Sequence, residues 1–204
     1  MAAPLADVVG IVLAGGRSTR FGHDKRLVLV DDQPLVHLAI RGVAAVASHV
    51  IVVIGPTERP LPLPLDLASR VELARDRDAD AGPLAGLLAG VEAAPASERA
   101  IVVGADMPSL VPAVLEHLLR AAETAPHVWT LENPDPGIVG PLPLAGRTRV
   151  LAASASALLE HGERSLRALV RATNAGRVPA ADWRTLDATA ATLRDIDRPT
   201  DLGS

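Results

Sequence analysis

Apolar residues along this chain fall into two kinds of pattern. Short continuous runs recur at Val8–Leu13, His49–Ile54 and Ala100–Gly104, most of them rich in β-branched side chains and bounded by glycine, proline or polar residues. Such runs predict strands buried on both faces. Between them lie stretches with apolar positions at helical spacing: 35–47, following the turn Asp31-Asp32-Gln33-Pro34; 82–94, entered through Gly82-Pro83; and 111–124. Proline suits the first turn of a helix, where its missing N–H costs nothing. A short strand is expected at Arg70–Leu73. The prolines of Arg59–Leu67 exclude a helix and predict an extended connector. Strands alternating with helices predict an α/β fold, with a mostly parallel sheet covered on both faces.

The second half is less regular. Short strands are expected at Val128–Thr130 and Gly137–Leu144, and helices at Ser154–Leu159 and Ser165–Thr173. Residues 174–192 are weakly patterned. There is no internal repeat. The 204 residues suit a single domain.

Composition narrows the chemistry. Hydrophobic residues make up 49% but aromatics only 1%, so the core is built from Ala, Val and Leu. A net charge of −4 argues against a general nucleic-acid binder. The absence of cysteine excludes disulfides, thiolate metal sites and a cysteine nucleophile. With no basic leader and no apolar run of roughly 18 residues, a cytoplasmic protein without a membrane segment is expected.

In open α/β sheets ligands bind beyond the carboxyl ends of the strands, and polar signals stand at three such ends. After the first run comes VLAGGRSTRFGHDK, with Arg17, Arg20 and Lys25 around Gly22. Five residues separate Gly16 from Gly22 and Lys25 is followed by Arg26, so this is not a Walker loop. It is not GxGxxG either, and no acidic residue ends the second strand, which disfavours a nicotinamide cofactor. Backbone N–H groups of such a loop can approach phosphates, with basic side chains adding charge; a solvated surface loop is the plainer alternative. Asp106 follows the strand at 100–104 and could hold Mg²⁺ or cap the next helix. Asp76 follows the weaker strand near 71. Asp195 and Asp197 flank Ile196, so in an extended chain both point one way, toward a metal or simply toward water. The six histidines do not pair at metal-ligand spacing, and there is no Gly-x-Ser-x-Gly elbow, so zinc and a triad hydrolase are without support.

Several of these segments coincide with one family. LAGGRSTRFGHDK resembles the signature loop of the nucleotidyltransferases that act on sugar phosphates and cofactors, LAGG-x3-R-[MF]-G-x-DK. DADAGPLAGLLAG, VVGADMPSL and LRDIDRPTDL resemble, in order, its base-side segment, its metal-binding strand end and its closing motif. GERSLRALV resembles a segment of the MobA branch, the molybdenum cofactor guanylyltransferases. The resemblance implies a Rossmann-like three-layer α/β/α sandwich, with nucleotide on the N-terminal half (roughly 1–110) and acceptor on the C-terminal half (roughly 111–204). It implies that Leu13, Ala14, Gly15 and Gly16 line the nucleotide, that Lys25 and Arg20 neutralise its phosphates, and that Asp76 contacts guanine beside Gly82. It implies Asp106 as the Mg²⁺ ligand, shared with Asp197, and Arg164 and Arg167 as contacts of the acceptor phosphate. The activity implied is transfer of GMP from GTP to molybdopterin with release of pyrophosphate, and transient contact with other molybdenum-pathway proteins. Two departures stand out: Val53-Ile54-Gly55 where such enzymes often carry Asn, and Asp195 and Asp197 where Asn-x-Asn is frequent. Aspartates there are familiar from cytidylyltransferase and phospholactate guanylyltransferase relatives, so CTP or another small phosphate stays open. A nucleotide-binding regulatory protein without turnover is the alternative of a different class.

Overall fold

The computed structural model describes residues 3–15, 24–77, 82–94, 96–125, 127–135, 140–198 and 200–201. The chain runs β1 (Leu5–Leu13), a small hairpin of β2 (Leu29–Val30) and β3 (Gln33–Pro34), α1 (Leu35–Ala44), β4 (Ala47–Ile54), β5 (Val71–Arg75), α2 (Pro83–Glu92) and β6 (Arg99–Gly104). It continues through α3 (Pro112–Ala121), β7 (Val128–Leu131), β8 (Leu144–Arg147), α4 (Thr148–Glu160), α5 (Leu166–Ala172), β9 (Gly176–Val178) and α6 (Ala180–Trp183). Seven strands form one sheet in the order β5-β4-β1-β6-β8-β7-β9. The first four are mutually parallel, and β8 runs antiparallel to both its neighbours. The expected α/β architecture is present.

Alternation along β1 builds the layers. Val8 and Val12 face a core shared with α1 and α3, while Val9 and Ile11 face a second core shared with α2, α4 and α5. Successive strand residues point to opposite faces, so a doubly buried strand must be apolar throughout. Two glycines let helices close on β1 from both sides. A Cβ on Gly10 would stand 2.0 Å from Val43 Cγ1, and one on Gly90 would stand 2.7 Å from Ile11 Cγ2.

Several boundaries differ from the sequence expectation, each for a local reason. The turn before α1 is a hairpin: Asp31 and Asp32 take φ of 48° and 61°, the left-handed pair of a tight two-residue loop. Helix α1 stops at Ala44 rather than 47, and the Arg70 guanidinium takes the carbonyls of Ala44 and Ala47. The proline connector holds one 3₁₀ turn, Leu65–Leu67. Of the strand expected at Gly137–Leu144, residues 137–139 lie outside the described residues and 140–143 are not in a strand, which runs Leu144–Arg147; Pro141 and Pro143 have no N–H to donate to a ladder. Helix α4 starts at Thr148 rather than Ser154. Its first turn reads Thr-Arg-Val-Leu, ambiguous in isolation, and is fixed by Thr148 Oγ1 donating to the Ser97 carbonyl and by burial of Leu151. Within 174–192 lie β9 and α6, locked by a fully buried Trp183 whose Nε1 donates to the Glu132 carbonyl at 3.0 Å.

The strand order reverses at β1. The chain steps outward through β4 to β5, then returns to β6 on the other side of β1. Such a reversal leaves a crevice beyond the carboxyl ends of the two central strands.

Candidate active site

The loops leaving β1 and β6 open into that crevice. Ala14 N donates to Val53 O and Ala105 N to Leu13 O, so the turn after each strand is pinned to its neighbour. Leu13, Ala14 and Gly15 therefore stand at the head of the crevice, and Asp106 follows at the end of β6. A Cβ on Gly15 would lie 3.4 Å from the backbone N of Gly55, so the β1 and β4 loops run against each other. Gly16 and Arg20 lie outside the described residues.

Lys25 opens a single 3₁₀ turn, capped by Asp24. Its Nζ donates to Asp106 Oδ2 at 2.8 Å, to Asp197 Oδ1 at 3.1 Å and to the Ile196 carbonyl at 3.3 Å. Residues 81 and 172 positions away thus meet on one ammonium group. Burial opposes the charge on Lys25. The hydrogen bond and charge of Asp106, and then those of Asp197, outweigh it and hold the lysine above its ordinary pKa. Ile196 explains why the pieces meet. It is buried against Leu35, with Val28 and Val30 packed alongside, and its N–H donates to the Asp106 carbonyl at 2.9 Å. One apolar peg therefore sets the Lys25 turn, the hairpin and the closing segment in register, leaving Asp195 and Asp197 on its outer side. Asp195 is raised above the usual carboxylate range, first by partial withdrawal from water and then by repulsion from Asp197 and Asp106.

These carboxylates fit a hard divalent cation, which takes oxygen ligands and is commonly held by one or two carboxylates plus substrate phosphates. The repulsion of Asp195 by Asp197 and Asp106, which adds to the effect of burial, is one that a cation would relieve. Among the described residues no group of three or more His, Cys, Asp or Glu side chains forms a cage for a metal ion.

Asp76 ends β5, its N–H donating to Ile54 O at 2.9 Å. It does not join Asp106. With strands spaced by about 4.8 Å, the three steps from β5 to β6 put the two ends roughly 14 Å apart. Asp76 lines a separate cleft of ≈ 340 Å³ with Glu92, Glu163 and Arg164. Gly82 borders this region as the N-cap of α2, at φ +80°, and a Cβ there would meet the Arg164 carbonyl at 2.7 Å. Arg164 and Arg167, expected to act together, are separated: Arg167 lines a larger cavity of ≈ 590 Å³ that also holds Asp106 and Asp195.

Three contributors were not anticipated. Arg26 is bonded to both carboxylate oxygens of Asp24, to Glu58 and to the Ala14 carbonyl, tying the β1 turn to the segment after β4. Glu58 is carried by a loop whose carbonyls at Gly55, Pro56 and Glu58 all accept from Arg75 Nη1. Arg194 lines the larger cavity, as Arg167 does. The "DKR" and "RDID" strings contain these arginines, but the 32-residue span from Arg26 to Glu58 leaves no local mark.

A reversed parallel sheet with a lysine-bridged carboxylate pair at its switch point defines an α/β enzyme of the nucleotide-handling kind. Residues 10–178 match the MobA-like NTP transferase domain, and the chain belongs to that family of nucleotidyltransferases. It is 33% identical over 196 residues to a probable molybdenum cofactor guanylyltransferase of Chloroflexus aggregans, covering 95% of this chain and 90% of that one. Among solved structures, molybdopterin-guanine dinucleotide biosynthesis protein A from Archaeoglobus fulgidus superposes with a TM-score of 0.76 at 23% identity, over 95% of this chain and 94% of the other. The 2-C-methyl-D-erythritol 4-phosphate cytidylyltransferase of Thermus thermophilus shares the fold at a TM-score of 0.68 and 17% identity, over 95% and 94% of the two chains. Among the described residues no helix is long and apolar enough to cross a membrane.

Proposed function

We propose that this enzyme transfers GMP from GTP to molybdopterin, releasing pyrophosphate. The observation that carries the reading is the bridge from Lys25 to Asp106 and Asp197 at the switch point, next to the Ala14-Gly15 turn. A nucleotide laid across the carboxyl edge of the sheet would put its base toward Asp76 and its phosphates toward Lys25. The roughly 14 Å between those strand ends suits a nucleoside triphosphate. The N-terminal half would then hold the nucleotide and the C-terminal half the acceptor. The kinship with a protein named as a molybdenum cofactor guanylyltransferase favours guanine and molybdopterin.

In the reaction a terminal phosphate oxygen of the acceptor forms a bond to the α-phosphorus of GTP, and the bond from that phosphorus to pyrophosphate breaks. A phosphate monoester is already ionised near neutral pH, so the site needs no strong general base, in keeping with its lack of a histidine among the described residues. The work left to the protein is positioning and charge neutralisation. Lys25, held cationic by its two carboxylates, and the backbone of the β1 turn would stabilise charge growing on the phosphates. Asp106 and Asp197 would hold Mg²⁺, which supplies Lewis-acid stabilisation of phosphoryl oxygens when bound. The cleft beside Asp106 would take the acceptor.

The test is pyrophosphate release with GTP or CTP, each with and without molybdopterin. Release that needs GTP and molybdopterin together is the expected result. Release with CTP instead moves the enzyme to cytidylyl transfer, and release only with another small phosphate, such as phospholactate, replaces the acceptor.

A further inference from the structure

Of the two carboxylates on Lys25, Asp197 has the harder position to keep. Its side chain is half exposed, and it and Asp195 repel each other across Ile196. An exposed acidic side chain on an irregular segment has several rotamers open to it, and ordering it costs conformational entropy. The backbone around Asp197 is nevertheless held on both sides. The peptide unit joining Ile196 to Asp197 is gripped at both edges: its carbonyl accepts from Lys25 Nζ at 3.3 Å, and its N–H donates to Asp201 Oδ2 at 2.9 Å. The same Oδ2 accepts the following N–H, of Arg198, at 2.7 Å, and Asp201 N donates to the Arg198 carbonyl at 3.0 Å. Asp201 thus reaches back and closes 197–201 into a turn, as the returning carboxylate of a capping box does. Both peptide units that flank the Asp197 Cα end on one charged oxygen, an acceptor stronger than a neutral one. That fixes the backbone at Asp197 and with it the direction of the Cα–Cβ bond, from which Oδ1 meets Lys25 Nζ at 3.1 Å.

We propose that Asp201 is a positioning residue of this site: it holds the backbone on either side of Asp197 and so aims the Asp197 carboxylate at Lys25 and at the cation between Asp197 and Asp106. Asp201 bonds to main-chain groups of the turn and acts on the chemistry only through Asp197. The link to the cation rests on the transferase reading above; the aiming of Asp197 at Lys25 does not. An acidic residue four places after Asp197 is therefore part of the site's construction, although it contributes no group to Lys25.

The experiment titrates Mn²⁺ into the protein loaded with a non-hydrolysable GTP analogue and follows free Mn²⁺ by electron paramagnetic resonance. Asp201→Ala should weaken Mn²⁺ binding about tenfold, the scale of losing a group that orients a metal ligand. Asp201→Asn keeps an oxygen able to accept both N–H groups and should recover most of that loss, which separates geometry from charge. Because Asp201 acts through Asp197, the double variant Asp197→Ala/Asp201→Ala should bind Mn²⁺ no more weakly than Asp197→Ala alone. In steady state, pyrophosphate release by Asp201→Ala should fall and be restored by raising Mg²⁺, which a general loss of folding would not allow. Wild-type Mn²⁺ affinity in Asp201→Ala, an Asn variant as weak as the Ala one, or losses that multiply in the double variant would each overturn the proposal. If Asp197→Ala alone leaves Mn²⁺ binding untouched, the metal role given to Asp197 fails. The crystal structure of Asp201→Ala then decides the positioning, which stands if the Asp197 carboxylate has left Lys25 and falls if it has not moved.

Discussion

The two sides of the crevice handle charge in opposite ways. On the β1 side, Lys25 and Arg26 are both partly buried and both neutralised by protein carboxylates, their side chains 20% and 12% exposed. On the far side, Arg167 and Arg194 stand exposed and without protein partners among the described residues. The first arrangement is preorganised: its geometry is set before any ligand arrives, so little reorganisation remains when charge develops. The second waits for a ligand to complete it. On the proposed reading, a site that must grip a triphosphate in one pose and also admit an acceptor has use for both.

Removing the carboxylate that joins the two sides should have the largest effect. Asp106→Asn still accepts from Lys25 but loses its charge, and turnover measured as pyrophosphate release should fall at least about a hundredfold with circular dichroism and Tm near wild type. Full activity in that variant would dissociate Asp106 from the chemistry. Lys25→Ala comes next, with kcat/KM for the nucleotide lowered by about a hundredfold. The same residue gives a pH test. Its pKa is raised in the folded state, so the stability it contributes is complete below the ordinary lysine value and fades only as pH rises through the folded one. No loss of activity traceable to Lys25 is therefore expected between about pH 6 and 9, and a kinetic pKa in that window that vanishes in Lys25→Arg would contradict the bridge.

A smaller, one-sided effect is expected of Arg26→Gln. It breaks the ties to Asp24, Glu58 and the Ala14 carbonyl, lowers stability by about 1–3 kcal/mol and should raise the GTP KM while sparing the acceptor KM. Equal changes in both constants would erase the contrast between the two walls. The mildest is Asp187→Asn. Asp187 is 5% exposed, and its two oxygens accept from the N–H groups of Ala191 and Thr192 and from Thr189, holding the segment that lines the larger cavity. Burial acts against its charge, but these hydrogen bonds prevail and keep its pKa below the usual carboxylate value. Its stabilisation is present above the ordinary carboxylate pKa, about 4, and lost as pH falls below it. An amide must turn its NH₂ toward an N–H donor, so the variant should lower Tm at neutral pH and flatten the acid limb of a Tm-against-pH curve. A Tm difference that persists unchanged at the acid end would show that the charge is not what matters.

How far each feature could be anticipated follows from how local its cause is. The three central strands and the helices between them were legible because a strand buried on both faces has to be apolar along its whole length, and Val8–Leu13, His49–Ile54 and Ala100–Gly104 are nearly so. Leu144–Arg147 was misplaced because this short strand of small residues follows Pro141 and Pro143 and is defined by its antiparallel pairing with β6 and β7 rather than by its own pattern. Lys25, Asp106 and Asp197 could be singled out by residue type and by position at strand ends or in a recognisable string. Arg26 with Glu58, and Arg194 with Arg167, could not, since nothing in the neighbouring residues encodes a partner far along the chain.

The sequence by itself determined the α/β class and the chemistry at hand, because both are written in local periodicity and in residue types. Only the tertiary structure decided which charges meet. The sheet reversal at β1 sets two strand ends side by side, and the burial of Ile196 brings a segment from the far end of the chain onto them. Electrostatic interaction falls off with distance through space and is indifferent to distance along the chain, so the bonded cations on one wall and the unbonded ones on the other exist only once the fold has formed.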